Sequence, residues 1–375
     1  MNTLKKITLA ASLSAAFLAG PAFAERDAIP HLDHVFLIML ENHGYSQIMG
    51  NNDAPFINQL AHSANLATNY FAVGHPSLTN YLEVVGGSNF GIENDNYPNW
   101  HNATPSASLN NPIAGSGMDA TTPASIAPFN VEIPAAPYLA ETIADQLVSA
   151  GQSWKSYQES LPASGVVDGV NLSDGIYSNL SDASIAKSPS LQKLYAVKHN
   201  PFVYFANVQE NKDPKNGLNN VVDFTGINGL YADLRVGKVP NFSFIAPNQC
   251  HDMHGIGNGS PLCNNDATLI QMGDASVKQL VSAIKASKSW KEGKNAIIVM
   301  WDENDFSASP NQVVTIVDTN YGVKGVSSNQ PYSHFSLLKT LDAGFGLPCL
   351  NHACDSNVNS MSDMFKAANN HRDND

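Results

Sequence analysis

Five short stretches, far apart in the sequence, contain side chains that bind cations, attack electrophiles or transfer protons. They are Glu41-Asn42, His75-Pro76-Ser77, His251-Asp252-Met253-His254, Asp302-Glu303 and His334. Carboxylate and amide oxygens are ligands for hard divalent cations, a serine hydroxyl is a nucleophile, and imidazoles bind metals or move protons. Together these residue types suit metal-assisted hydrolysis of a phosphate ester.

Two of the stretches follow apolar runs that are typical of buried strands. Glu41-Asn42 comes directly after the run 35–40, and Asp302-Glu303 directly after the run 296–301. The carboxyl ends of parallel strands form the ligand-binding edge of an open α/β sheet. Adjacent carboxylates repel each other there unless water or a cation separates them. The pattern therefore predicts a metal site, and the alternative is two charged loops that keep the strand ends soluble.

Ser77 lies at the start of a helical pattern that continues through Tyr81 and Val85. Free backbone N–H groups at a helix start favour a bound phosphoryl oxygen. A metal that contacted the Ser77 hydroxyl would also lower its pKa and make it a better nucleophile. His75 is close enough in sequence to contact the phosphate or to protonate a leaving group. The alternative is that Ser77 only caps the helix.

The remaining candidates lie in predicted loops and at one helix start. Asp252 and His254 are two residues apart, so both can ligate one cation, or one can ligate while the other contacts substrate. His251 beside them and His199 are candidates for substrate contact. His334 opens a predicted helix and is a candidate only in the company of the others. The alternative for residues 251–254 is a set of surface polar residues near a disulfide.

Apolar strands alternate with amphipathic helices along most of the sequence. We expect strands over residues 33–40, 65–73, 153–157, 202–206, 242–246, 296–301 and 313–317, and helices over 55–64, 138–150, 266–286 and 334–343. This alternation predicts an α/β fold with a doubly wound, mostly parallel sheet and helices on both faces. Residues from about 86 to 136 are rich in Asn, Ser, Ala, Pro and Gly, which indicates a long loop insertion or, alternatively, a flexible linker between domains.

The first residues have the features of a secretory signal peptide. Lys5 and Lys6 precede a short apolar run, and Ala22-Phe23-Ala24 matches a cleavage site, so we expect residues 1–24 to be removed. The alternative is an uncleaved membrane anchor. Residues 25–375 then form a single domain in the periplasm or outside the cell.

The four cysteines fit an oxidising compartment. Of the three possible pairings, Cys250–Cys263 with Cys349–Cys354 is the most local, and we expect these two disulfides. A zinc cluster is the alternative, but the spacing between two cysteines never matches C-x-x-C.

The overall charge limits the classes of partner. Thirty-three acidic residues against 20 basic residues give a net charge of −13, which argues against nucleic acid and against stable association with an anionic membrane. The same charge disfavours a small phosphate-ester substrate unless a bound cation offsets it. The oligomeric state is left open.

These motifs, taken in order, resemble a known family. The motifs are Glu41-Asn42-His43, His75-Pro76-Ser77-x-x-Asn80-Tyr81, Ser153-Trp154-x-x-Tyr157, Lys198-His199-Asn200-Pro201, Asp252-Met253-His254, Trp301-Asp302-Glu303-Asn304-Asp305 and His334-Phe335-Ser336-Leu337-Leu338. From about His34 to Leu350 the chain is similar to the phosphoesterase family of secreted acid phosphatases and bacterial phospholipases C, within the alkaline-phosphatase-like superfamily.

The resemblance implies a metal-dependent acid phosphatase that acts on phosphomonoesters through a phosphoserine on Ser77. It implies one or two divalent ions (Zn, Mg, Ca, Mn or Fe) held by Glu41, Asn42, Ser77, Asp302 and Glu303. Asp252, His254 and His334 match a second metal site or, in single-metal members, a phosphate site, and Asn80, His251 and His199 are candidates for substrate contact. One departure is Thr79, where relatives commonly have proline.

Two other functions remain open at this point. A phospholipase C or another phosphodiesterase uses the same residue types, and a soluble monoester assayed against a phosphocholine lipid would separate the two activities. A secreted, non-catalytic calcium-binding protein would need the carboxylates but not a serine at a helix start.

Overall fold

An apolar run near the start of the described chain forms the centre of the main sheet. In the computed structural model, which describes residues 29–90, 95, 137–161, 194–256, 263 and 265–367, β1 spans His34–Leu40. Its neighbours β6 (Phe242–Ala246) and β7 (Asn295–Trp301) run parallel to it. Every residue of β6 and β7 is buried, as in parallel strands whose two faces are both covered.

Five further strands extend this sheet to eight in the described part of the chain. They are β2 (Asn65–Ala67), β4 (Trp154–Gln158), β5 (Val221–Asp223), β8 (Thr315–Thr319) and β9 (Ser327–Ser328). The order is β5-β4-β6-β1-β7-β8-β2-β9, and only β8 runs antiparallel to its neighbours. A small second sheet pairs β3 (Tyr70–Phe71) with β10 (Tyr332–Ser333). The predicted α/β fold with a mostly parallel sheet is confirmed.

Seven of the described helices form two packed groups. The described helices are α1 (Tyr45–Ile48), α2 (Pro55–Ser63), α3 (Ser77–Gly86), α4 (Ile143–Ser149), α5 (Ala206–Gln209), α6 (Leu230–Val236), α7 (Asp266–Ala286), α8 (Lys288–Lys291) and α9 (His334–Phe345). In one group α2, α6 and α8 pack against α7, and in the other α3, α4 and α9 pack against one another. None of these helices combines the length and the apolarity that a membrane span requires.

Two strand predictions were wrong. Residues 65–73 form two short strands, β2 and β3, in different sheets, because a turn at Thr68-Asn69 separates them. Instead of a strand over residues 202–206, the structure has a 3₁₀ turn at Pro201–Tyr204 followed by α5, with Phe205 extended between them. Proline at the first position favours a helical turn, and a short run that is buried on all sides has no periodicity to distinguish helix from strand.

Two elements also differ from the prediction in their bounds. The helix expected over 138–150 begins only at Ile143, because Thr142 caps it by accepting a hydrogen bond from Ala144 N. The strand expected over 313–317 is Thr315–Thr319, since Val313 N donates instead to Tyr70 O in the small sheet. Residues 1–28, and with them the predicted signal peptide, lie outside the described residues, as does nearly all of the predicted insertion over 86–136.

The two predicted disulfides are present. Cys250 bonds to Cys263 and Cys349 to Cys354, with Cα atoms 5.5 Å and 5.4 Å apart. The first disulfide joins cysteines that are 13 positions apart, and the His251–His254 stretch lies between them. It therefore restrains one of the loops that carries candidate site residues.

The packing of α9 generates a prediction about stability. Asp342 on α9 is 1% exposed, and neither of its carboxylate oxygens makes a hydrogen bond of good geometry with a described residue. Burial raises the pKa of Asp342 to about 8, although the Leu350 backbone opposes the shift. The folded protein then keeps a proton that the unfolded chain loses above about pH 4, so this contribution to stability falls as pH rises from about 4 to 8.

We expect Asp342→Asn to remove that pH dependence. Relative to the variant, the wild type should lose about 1.4 kcal/mol of unfolding free energy per pH unit between pH 5 and 8. Urea unfolding at several pH values measures the difference, with Asp213→Asn at an exposed carboxylate as the control. Parallel pH profiles for wild type and Asp342→Asn would contradict the prediction.

Candidate active site

The carboxyl ends of β1 and β7 bring two carboxylates to the same level of the sheet. Leu40 pairs with Trp301, and Asp302 N donates to Leu40 O at 2.9 Å, so Glu41 and Asp302 leave the sheet side by side. Glu303 follows directly, and all three carboxylates are buried. The parallel register thus concentrates negative charge where the sequence predicts a metal site.

Ser77 places its hydroxyl between two of these carboxylates. Its Oγ donates to Glu41 Oε2 at 2.9 Å and lies 3.2 Å from Glu303 Oε1. Pro76, and not Ser77, is the N-cap of α3, and Ser77 is the first helical residue. The alternative in which Ser77 only caps the helix is therefore wrong. The hydroxyl faces the carboxylates and not the helix backbone.

A buried lysine lies on another side of the same hydroxyl. Lys198 Nζ is 3.3 Å from Ser77 Oγ and 2.8 Å from Asp95 Oδ2. The other Asp95 oxygen accepts from Leu78 N, a backbone donor in the first turn of α3, at 3.0 Å. Burial would lower the pKa of Lys198, but Asp95 and Glu41 raise it above its usual value. The ammonium therefore stays charged beside Ser77.

His199 links two carboxylates from different loops. Its Nε2 lies 3.0 Å from Glu41 Oε1, and its Nδ1 lies 3.1 Å from Asp252 Oδ2. The ring stacks on Tyr81, with centroids 5.2 Å apart. Burial would lower the pKa of His199, but Glu41 and Asp252 outweigh it and raise the pKa to about 9. A charged His199 thus neutralises part of the cluster.

The loop after β6 is fastened to the cluster by its backbone. Glu41 N donates to Asp252 O at 2.8 Å, and His254 N donates to Asp252 Oδ1 at 2.8 Å. His254 Nδ1 lies 2.7 Å from Gly255 O, a carbonyl that can only accept, so Nδ1 carries the proton. The unprotonated Nε2 then accepts from Lys198 Nζ at 3.2 Å. Burial and the Lys198 charge lower the pKa of His254 to about 4.

Two predicted residues contact Glu303. His75 Nδ1 lies 2.7 Å from Glu303 Oε2, and Asn80 Nδ2 donates to the same oxygen at 3.3 Å. Burial raises the pKa of Glu303 to about 7, although His75 opposes the shift. The structure therefore brings His75, Asn80 and Ser77 together around one carboxylate.

Asn42 and His334 meet the cluster through Asp302. Asn42 N donates to Asp302 Oδ1 at 3.1 Å, and His334 Nε2 lies 2.6 Å from Asp302 O. His334 Nδ1 lies 3.1 Å from the Tyr70 hydroxyl, so both ring nitrogens contact protein groups. Burial lowers the pKa of His334 to about 4, and the neutral ring supports the backbone at the end of β7.

His251 lies at the edge of the group. Its Nδ1 contacts both oxygens of Glu159, at 2.9 Å and 2.8 Å, and the ring is partly exposed. Asn248 N also donates to Glu159, at 3.0 Å. The structure shows no contact between His251 and Ser77 or the three carboxylates among the interactions it describes.

The chemistry of the cluster fits a divalent cation, although the described side chains do not form a finished coordination group. No set of three or more described His, Cys, Asp or Glu side chains is arranged to hold a metal ion. However, burial and the charges of Glu41 and Glu303 raise the pKa of Asp302 well above its usual value. Asp302 Oδ2 is buried without a hydrogen-bond partner in the described chain. Clustered hard oxygens with an unpaired member are the donor set that Mg²⁺, Mn²⁺, Ca²⁺ or Zn²⁺ binds.

Comparison with known proteins gives the class. The chain matches the Phosphoesterase family over residues 50–348, most of its length, and it belongs to that family. Glu41 and Asn42 precede the matched range, and their place in the site rests on the contacts of Glu41 with Ser77 and of Asn42 with Asp302.

Two relatives of this chain are phosphatases. The chain is 28% identical to the phosphatidylinositol-3-phosphatase of Mycobacterium tuberculosis, covering 93% of this chain and 89% of the relative. It is 27% identical to a probable acid phosphatase of Kluyveromyces lactis, covering 86% of this chain but 61% of the relative, so it spans about three fifths of that protein. Family and relatives support a phosphate-ester hydrolase.

One solved structure is similar at the level of shape. A protein in the alkaline phosphatase superfamily from Vibrio parahaemolyticus covers 88% of this chain and 71% of its own, with 14% identity and a TM-score of 0.49.

The sequence analysis did not identify Asp95 in the site or Glu159 at its edge, and it gave Lys198 no role of its own. Asp95 lies in the segment predicted as a loop insertion, and Lys198 appears in the sequence analysis only within the motif Lys198-His199-Asn200-Pro201. Glu159 directly follows β4, and a carboxylate just past a parallel strand was the signal that identified Glu41 and Asp302. The same rule applied to β4 would have found it.

The contacts of Asp95 generate a binding prediction. Its carboxylate takes two donors, Leu78 N–H and Lys198 Nζ, that a bound phosphate would use. Asp95→Asn keeps the size but removes the competing charge, so we expect affinity for inorganic phosphate to rise about tenfold, roughly 1.4 kcal/mol. Calorimetric titration at fixed ionic strength measures it.

The control for this titration is Asp355→Asn, at an exposed carboxylate far along the chain. Its phosphate affinity should equal that of the wild type. Weaker phosphate binding by Asp95→Asn would show that the carboxylate orients Lys198 and does not compete with the anion.

Proposed function

We propose that this protein is a hydrolase of phosphate monoesters in which Ser77 is the nucleophile. The observation that carries the proposal is the position of the Ser77 hydroxyl, which lies at the start of α3 between Glu41 and Glu303 and beside Lys198. A carboxylate can take the hydroxyl proton, while the ammonium and the backbone N–H groups of α3 stabilise negative charge on the phosphoryl group.

The reaction follows as two displacements. Ser77 Oγ attacks phosphorus, its proton passes to Glu41 or Glu303, and the leaving alcohol departs as a phosphoserine forms. His75, held through Nδ1 by Glu303, has Nε2 as the ring nitrogen that can protonate the leaving oxygen. Water then hydrolyses the phosphoserine and releases phosphate. Lys198 counters the charge on the phosphoryl oxygens in both steps.

The donors for a divalent cation are Glu41, Asp302 and Glu303, with the amide oxygen of Asn42 and the hydroxyl of Ser77 completing an oxygen-rich set. Such a cation supplies charge neutralisation and lowers the pKa of a hydroxyl that contacts it. Its identity among Zn, Mg, Ca, Mn and Fe is set by ligand number and cavity size, which oxygen donors alone do not specify.

We favour one cation over two because the donors of a second site have other partners. Asp252 pairs with His199, His254 accepts from Lys198, and both nitrogens of His334 contact Tyr70 and the Asp302 backbone. His199, Lys198 and His254 instead form a positive and hydrogen-bonding group next to Ser77. This group suits the phosphate of the substrate.

A monoester is favoured over a diester by the kind of relatives that the chain has. These relatives are a phosphatidylinositol-3-phosphatase and a probable acid phosphatase. Rates on an aryl phosphate and on the corresponding bis-aryl phosphodiester, measured on the same protein, separate monoesterase from diesterase activity.

Two disulfides support a periplasmic or secreted location, since disulfides persist in oxidising compartments.

We expect Ser77→Ala to abolish hydrolysis of an aryl monophosphate. Loss of the nucleophile should lower kcat by at least about a thousandfold, because the phosphoserine can no longer form. Steady-state assays measure the loss, and the melting temperature and circular dichroism report whether the fold is intact.

Ser289→Ala is a matched control, since Ser289 is a buried serine in the four-residue helix α8. Its activity should match that of the wild type. Substantial turnover by Ser77→Ala would remove Ser77 from the nucleophile role. A wild-type protein that binds a cation but hydrolyses no phosphate ester would favour the calcium-binding alternative.

We also expect hydrolysis to depend on a divalent cation. Exhaustive chelation should reduce the rate to background, and add-back of the correct ion should restore it. Asp302→Asn should weaken the binding of that ion by about tenfold or more, measured by calorimetry on chelated protein, because it removes one of three buried carboxylates. Full activity in the presence of chelator would contradict a dissociable metal.

A further inference from the structure

An exposed aromatic side chain stacks on a histidine of the candidate active site. Phe306 is 47% exposed, and its ring stacks on His75 with centroids 3.9 Å apart and an interplanar angle of 24°. His75 contacts Glu303, and Glu303 contacts Ser77 Oγ. Three successive contacts therefore connect the nucleophile to a flat apolar surface that faces solvent.

The backbone at Phe306 has an unfavourable conformation. Its φ is +63°, in the left-handed region where side chains other than Gly, Asn and Asp are uncommon. A phenylalanine there costs free energy that a glycine or asparagine would avoid. Residues held in this way are concentrated at functional sites, so the ring calls for an explanation beyond packing.

Hydrogen bonds around the loop hold the ring in place. Asn304 Oδ1 accepts from Phe306 N at 3.0 Å, and Asn304 N donates to Asn311 Oδ1 at 2.7 Å. Gln47 Nε2 donates to Asp305 Oδ2 at 2.8 Å, which ties the loop to α1. The loop that begins with Asp302-Glu303 therefore presents Phe306 in a defined orientation.

We propose that Phe306 determines leaving-group specificity by stacking against a flat aromatic leaving group of the substrate while its other face covers His75. The inference rests on the proposed function, because it takes Ser77 as the point where phosphorus is bound. A leaving group that extends from Ser77 past His75 meets the exposed part of the Phe306 ring. Aromatic rings gain from offset stacking beyond the area that they bury, whereas an alkyl alcohol does not.

The first test compares two substrates in matched variants. Phe306→Leu keeps an apolar side chain without branching at Cβ, and Phe306→Tyr keeps the ring. For Phe306→Leu we expect kcat/KM on phenyl phosphate to fall about 3- to 10-fold, with a change of less than about twofold on glycerol 2-phosphate. Phe306→Tyr should retain the wild-type ratio. Ile227→Ala, which removes a side chain that is 90% exposed in a turn before α6, is the control.

The second test does not depend on turnover. Phenylphosphonate and methylphosphonate have no ester bond to hydrolyse, and calorimetry gives their affinities for the wild type and the variants. We expect Phe306→Leu to weaken phenylphosphonate about 3- to 10-fold and to leave methylphosphonate unchanged. Equal losses for both ligands, or no loss for either, would overturn the specificity role. A wild type that hydrolyses neither ester would overturn the proposed function, and the phosphonate affinities would still decide the role of Phe306 in binding.

Discussion

The site depends on one constraint, which is that parallel pairing of β1 and β7 buries Glu41 and Asp302 side by side. Two adjacent carboxylates that are buried away from water repel each other, and Glu303 adds a third. The fold therefore has to supply positive charge and donors from other elements. Lys198 and His199 provide charge from the segment before the 3₁₀ turn at 201–204, and α3 provides the Ser77 hydroxyl.

Each of these neighbours also restrains the next. Glu41 holds both the Ser77 hydroxyl and His199, and His199 in turn holds Asp252. The Asp252 backbone returns to Glu41 N, which closes the loop after β6 onto the end of β1. Because the links form a closed circuit, removal of one charged member leaves its partners buried and unpaired, and its effect will exceed that of a single lost contact.

The site residues that could be predicted from sequence each lie at the end of a strand or at the start of a helix. Glu41 and Asp302 follow long apolar strands, and Ser77 opens an amphipathic helix, so periodicity alone located them. Asp95 and Lys198 lie outside such elements, and no local pattern relates them to Ser77. The strand predicted over residues 202–206 was wrong for a different reason, because a short run that is buried on all sides has no periodicity. The pairing of Cys250 with Cys263 was predictable because the two residues are close in sequence.

Two histidines that the sequence treats alike differ in what their ring nitrogens can do. His254 Nδ1–H donates a hydrogen bond to Gly255 O, so its Nε2 faces Lys198 as a neutral acceptor. His334 has both nitrogens engaged, by Tyr70 and by the Asp302 backbone. An incoming phosphate can therefore displace the contact between His254 and Lys198 without disturbing a strand end, whereas a ligand on His334 would have to break the support of β7. The phosphate is accordingly expected on the side of Lys198 and His254, and His334 is expected to hold the Asp302 backbone in place.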